Sequence, residues 1–80
     1  MAAERRPMEE HLTRRQRKAL RCIGRFIEAN GYPPTFRELA RQMGGSSSSH
    51  GEHYVRTLER KGYLEHAEGK ARGIRLALRR

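Results

Sequence analysis

The stretch Thr35-Phe36-Arg37-Glu38-Leu39-Ala40-Arg41-Gln42-Met43-Gly44, followed by Ser46 to Gly62, decides the fold. Thr35 with Glu38 three places on is a capping box: the hydroxyl accepts from the third helical amide and the glutamate reaches back to the cap. Phe36, Leu39, Ala40 and Met43 then supply the apolar stripe of a short helix. Gly44-Gly45 makes a sharp turn. Ser46 to Ser49 are poor helix formers but good caps, so either Ser47 or Ser49 begins the next helix. In that helix Gly51, Tyr54, Val55 and Leu58 fall at i, i+3, i+4 and i+7. Gly62 stops it after Arg60-Lys61, whose charges suit a negative helix end. Two short amphipathic helices joined by a glycine turn make a helix-turn-helix.

Upstream, Thr13-Arg14-Arg15-Gln16 is another capping box. Ala19, Leu20, Ile23, Phe26 and Ile27 repeat at helical spacing, with Arg14, Arg17, Lys18, Arg21 and Arg25 largely outside that stripe. Asn30-Gly31 ends this helix, and Pro33-Pro34 forces an extended approach to the next. Residues 1–11 mix charges without periodicity, include Pro7, and read as a loose tail, with Met8 as an alternative start. Downstream of Tyr63 the period shortens to two. Leu64 alternates with Tyr63 and Glu65, and Ile74, Leu76 and Leu78 alternate with Arg75, Ala77 and Arg79. Between them Glu68-Gly69-Lys70-Ala71-Arg72-Gly73 is a basic loop. The expected fold is α+β, mainly α: a three-helix winged helix-turn-helix with a two-stranded antiparallel β-hairpin wing, occupying residues 12–80.

The chain has 80 residues, room for one small domain with a thin core. Eighteen Lys and Arg oppose nine acidic residues, a net charge of +9 that attracts polyanions. An anionic membrane surface would require bulky apolar residues beside a long basic face. No run approaches the ~20 apolar residues of a membrane span, and the first residues contain no apolar signal-peptide core. The single Cys22 excludes an intramolecular disulfide, suits a reducing, cytosolic setting, and reads as a small buried hydrophobe.

A helix-turn-helix in such a basic chain predicts binding to double-stranded DNA through the third helix. Facing away from its apolar stripe are Ser49, His50, Glu52, His53, Arg56 and Thr57. A hydroxyl donates or accepts, an imidazole donates to guanine, and a carboxylate accepts from the cytosine amino group. The opposing reading is a solvated helix face, with Glu52 closing a capping box on Ser49. Arg14, Arg15, Arg37, Arg41, Arg56, Lys70 and Arg72 are candidates for phosphate contacts, which position a protein without reading sequence. Five such contacts would give a log–log salt slope of about −4 to −5. Lys70 and Arg72 at the hairpin tip would follow the adjacent backbone or minor groove, from which Glu68 would be repelled.

Catalytic and metal signals are poor. His50 and His53 lie one turn apart, but Cys22 faces the core and four-ligand zinc spacing is absent, so no metal site or cofactor is expected. Serines beside His50 act as caps rather than nucleophiles, and no nucleotide-binding glycine loop is present. The chain reads as a non-enzyme.

Leu12-Thr13-Arg14-Arg15-Gln16, Gly31-Tyr32-Pro33-Pro34-Thr35-Phe36-Arg37-Glu38-Leu39-Ala40, Met43-Gly44, Leu58-Glu59-Arg60-Lys61-Gly62-Tyr63-Leu64 and Arg72-Gly73-Ile74-Arg75-Leu76 together resemble the DNA-binding domain of the LexA repressor family. The resemblance runs from Leu12 to about Leu78. It implies a winged helix-turn-helix that reads operator DNA in damage-inducible (SOS) bacterial genes, in the cytoplasm at the nucleoid. By position Ser47, Ser49, His50, Glu52 and His53 would face bases, and Thr35, Arg37, Arg41, Arg56, Lys70 and Arg72 would face phosphate or carry the wing. That family continues through a hinge into a dimerising peptidase domain that cleaves its own linker with a Ser–Lys dyad. The sequence ends at Arg80, where such a hinge would begin. The expectation is therefore a DNA-reading half without self-cleavage, free-standing or part of a longer repressor, pairing as a homodimer on a palindromic operator.

Two other functions compete. A winged helix can serve as a protein-interaction module, such as an anti-repressor pairing with a LexA-type regulator, but the candidate anchors Tyr32, Tyr54 and Tyr63 can each be core. Non-specific nucleic-acid packaging would leave Glu52 and His50 without influence.

Overall fold

The computed structural model of the chain describes residues 12–77. The expected tail, residues 1–11, and Leu78 of the expected second strand lie outside them. Helix α1 (Arg14–Asn30) begins where the sequence places it. Thr13 Oγ1 accepts from the Gln16 amide at 3.1 Å, and Gln16 Oε1 accepts from the Thr13 amide at 3.0 Å. Helix α2 (Phe36–Gln42) repeats the device, with Thr35 and Glu38 exchanging bonds of 3.1 and 2.9 Å. Each box satisfies two helix-end amides that would otherwise need water.

Met43 caps α2, and Gly44 follows at φ +91°, a left-handed conformation that costs glycine nothing. The Gly45 amide then donates to the Ala40 carbonyl at 2.8 Å, closing the turn. Helix α3 (Ser48–Arg60) starts on Ser47, whose Oγ accepts from the Ser49 amide at 3.2 Å. Of the two candidate caps, Ser47 takes the role.

Gly51 explains how closely α3 crosses α2. A Cβ there would collide with the Phe36 carbonyl oxygen and lie 2.8 Å from its carbon. The start of α2 therefore meets α3 at a position without a side chain, a close approach that only glycine permits. Tyr54, Val55 and Leu58 continue that face into a core with Leu12, Ala19, Cys22, Ile23, Leu39 and Met43. The periodic stripes of all three helices converge there, as hydrophobic burial demands.

Strands β1 (Leu64–His66) and β2 (Ile74–Leu76) pair antiparallel, with Leu64 opposite Leu76, Glu65 opposite Arg75 and His66 opposite Ile74. Leu64 and Ile74 are buried, while Glu65 and Arg75 point outward and join at 2.8 Å. The hairpin closes with the Ala67 amide donating to the Gly73 carbonyl at 3.0 Å. Among the described residues the architecture is three helices with one antiparallel hairpin packed on α3.

Candidate nucleic-acid interface

The amino-terminal half of α3 presents a polar surface that the helix packing leaves uncovered. Ser47, Ser49 and His53 are exposed, and Glu52 is half-buried beside them. Ser47 and Ser49 share a hydroxyl–hydroxyl bond of 2.8 Å. His50 sits differently. Its ring folds back over the turn onto Gly45, at 5.3 Å between centroids from Tyr54, and is half-buried. His53 also edges onto Tyr54, at 6.0 Å, but stays exposed. The five base-facing candidates thus share one end of one helix, with His50 nearest the turn.

Glu52 does not close a capping box with Ser49. Its carboxylate accepts from Arg56 Nε at 2.8 Å, one turn along the same face. The other side of that guanidinium reaches Glu68 at 3.3 Å. Arg56 therefore bridges α3 and the wing, and the two carboxylates raise its pKa above the ordinary arginine value. Glu68, expected to be repelled by phosphate, is held by this cation.

Arg72 is engaged more fully. Its Nη1 and Nη2 donate to the two carboxylate oxygens of Glu38 at 2.8 and 3.0 Å, and Nη1 also donates to the Pro33 carbonyl at 2.8 Å. The guanidinium stacks on the Tyr32 ring, 4.6 Å from its centroid. Glu38, gripped first by Arg72 and then by the Thr35 amide, has its pKa pulled down to about 2. Thr35 spends its hydroxyl on capping α2.

Arg37 and Arg41 on α2 and Lys70 at the wing tip are exposed and form no ion pair among the described residues. Arg15 donates Nε to the Tyr54 hydroxyl at 3.3 Å, tying α1 to the base of α3. The six phosphate or wing candidates therefore divide. Arg37, Arg41 and Lys70 are open to a ligand, whereas Thr35, Arg56 and Arg72 already have protein partners.

Two residues outside the sequence-based set shape the wing. Tyr32 is the exposed large apolar side chain among the described residues and provides the surface under Arg72. His66 is 5% exposed at its side chain, stacks on Phe36 at 5.0 Å, and lies 3.9 Å from Glu68. The period-two alternation that turns Leu64 inward turns His66 inward as well. No three His, Cys, Asp or Glu side chains among the described residues converge on a metal-sized position, and no described helix is long and apolar enough to cross a membrane.

A helix-turn-helix from α2 to α3, buttressed by α1 and flanked by a hairpin hung on the α2 cap, defines a winged helix-turn-helix. The chain belongs to the LexA DNA-binding domain family, whose sequence profile matches residues 9–73. It is 48% identical over 67 residues to the LexA repressor of Citrifermentans bemidjiense, covering 84% of this chain and 33% of that protein. The LexA repressor of Methylococcus capsulatus is 48% identical over 68 residues, 85% of this chain and 34% of its own length. That of Paraburkholderia phytofirmans is 48% identical over 65 residues, 81% and 30% respectively. The chain spans about a third of the length of these curated relatives.

Proposed function

We propose that the chain binds double-stranded DNA sequence-specifically, as the operator-reading part of a transcriptional repressor of the LexA type in the SOS response. The observation that carries this reading is the uncovered polar end of α3, standing on a helix-turn-helix of the LexA DNA-binding family. In the major groove Ser49, Glu52 and His53 would face base edges, with Ser47 at the rim and His50 closest to the backbone side of the turn. Arg37, Arg41 and Lys70 would meet phosphates. Arg56 and Arg72 would act mainly by holding Glu52 and the wing in place.

A single module of this size buries ~600–1,000 Å² of protein surface on DNA, which supports modest affinity for one half-site. Two copies on a palindrome would gain through effective concentration. Selection from randomised oligonucleotides with the purified chain, followed by gel shifts on half-sites and palindromes, tests the proposal. A recovered motif with fixed half-site spacing supports it. Binding indifferent to sequence at moderate salt refutes it.

A further inference from the structure

Helix α1 carries a basic row that the operator-reading surface does not use. Lys18, Arg21 and Arg25 recur at i, i+3 and i+7, and Arg14 precedes them by one turn. At about 100° per residue, the three project within an arc of about 60°. All are exposed, and none forms an ion pair among the described residues. Glu28, one turn past Arg25, is the single acidic residue of α1. A face that merely needs solvation usually mixes charge signs; this one has a single sign until its end.

The row also points away from the helix-turn-helix. Helices α2 and α3 pack on the side of α1 that carries Ala19, Cys22 and Ile23. Lys18, Arg21 and Arg25 are rotated about 120° from the centre of that side. Arg15, which touches Tyr54 of α3, marks the flank nearest the recognition helix, and the row lies roughly a quarter turn beyond it.

We propose that Lys18, Arg21 and Arg25 bind the phosphate backbone of a second DNA duplex, without reading its sequence, while α3 holds an operator. The inference rests on the function proposed above. From Lys18 to Arg25 the helix rises about 10 Å, which spans about three nucleotide steps of one strand. The row offers phosphate charge complementarity and nothing else. It lacks the aromatic or aliphatic anchors of a protein interface and the bulky apolar residues that would seat a helix in a membrane surface. Three such contacts carry a log–log salt slope of about −2.7, so doubling the salt cuts capture of the second duplex about sixfold.

Two-colour fluorescence coincidence with the full chain tests this, using an operator duplex in one colour and a duplex without operator in the other. Wild type should unite the colours, steeply less so as salt rises. The variant Lys18→Gln/Arg21→Gln/Arg25→Gln should lose coincidence while its operator affinity stays within about twofold, since no sequence-reading contact is removed. The charge-preserving Lys18→Arg/Arg21→Lys/Arg25→Lys should retain coincidence, and thermal melting of both variants separates a folding defect from a lost contact. If the glutamine variant instead weakens operator binding and flattens its salt slope, the row touches the same duplex and the proposal fails. It fails equally if coincidence is absent in wild type or unchanged in the variant, which leaves a solvated face. Operator occupancy is scored in its own colour. A chain that selects no operator overturns the proposed function, whereas an operator-bound chain that captures no second duplex overturns the row alone.

Discussion

The guanidinium of Arg72 grips both carboxylate oxygens of Glu38, at 2.8 and 3.0 Å, across 34 positions of sequence. Glu38 is at the same time the back-reaching member of the α2 capping box. One carboxylate thus serves the start of the helix that precedes the turn and the root of the wing. The pairing gives Arg72 a role unlike that of a cation waiting for phosphate.

From this follows a pH dependence. Arg72, and then the Thr35 amide, hold the Glu38 pKa at about 2, below its ordinary value of 4.5. A depressed carboxylate pKa stabilises the fold above the unfolded-state value and loses that contribution as pH falls through the folded one. Thermal unfolding of wild type should therefore lose ground relative to Glu38→Gln between about pH 5 and 2. Parallel curves for the two proteins over that window would show that the clamp adds nothing.

Arg72→Gln and Lys70→Gln should separate positioning from phosphate contact. Lys70→Gln is expected to weaken binding evenly across DNA sequences and to reduce the salt slope by about 1. Arg72→Gln should loosen the hairpin, seen as faster amide hydrogen exchange at residues 67 to 73, while leaving the salt slope nearly unchanged. Equal slope changes in the two variants would make Arg72 a phosphate ligand after all.

Two glycines should respond oppositely to alanine. At Gly24, inside α1, a Cβ meets nothing within 4 Å, so Gly24→Ala should stabilise by about 0.5–1 kcal/mol through helix propensity. At Gly51 the new methyl would strike the Phe36 backbone, and α3 would have to move off α2. Gly51→Ala should destabilise by roughly 1–3 kcal/mol despite the same propensity gain. Denaturant melts of both variants check the contrast.

His66 offers a stabilising change. Its Nδ1 is buried without a hydrogen bond, with Glu68 Oε2 3.9 Å away. An unsatisfied buried polar atom costs about 1–3 kcal/mol, and leucine would fill similar space beside Phe36 without that cost. His66→Leu should raise the denaturant midpoint with an unchanged slope; a lower midpoint would mean that the imidazole contributes through its ring contact.

Glu52→Ala should alter which bases are preferred, by about 1–3 kcal/mol at one position, if its carboxylate accepts from a base amino group. The same change releases Arg56 from one of its two partners. Selection on randomised DNA with the variant distinguishes a changed preference from a uniform change in affinity. An unchanged motif would remove Glu52 from the base-reading set.

Much of this fold was legible in the sequence because its signals are local. The capping boxes at Thr13 and Thr35 close within one helical turn, so spacing alone reveals them. The stripe Gly51, Tyr54, Val55 and Leu58 was readable for the same reason, although nothing in the spacing says that Gly51 must lack a side chain. The wing was legible as a change of period, whereas His66 was singled out only by the structure, where the same alternation turns it inward. What periodicity could not convey is the choice of ion-pair partners. Arg56 and Arg72 look like Arg37 and Arg41 in sequence, yet among the described residues folding delivers carboxylates to the first pair and not to the second. The bend of His50 over Gly45 was hidden likewise, because it depends on the geometry of the turn.

The anchoring and the outward positions of α3 belong to different residues. Ser47, Gly51, Tyr54, Val55 and Leu58 seat the cylinder, and Ser49 and His53 stand clear of that seat. Under the proposed function, exchanging Ser49 and His53 for other side chains would re-address the molecule to another stretch of DNA while its scaffold stayed put.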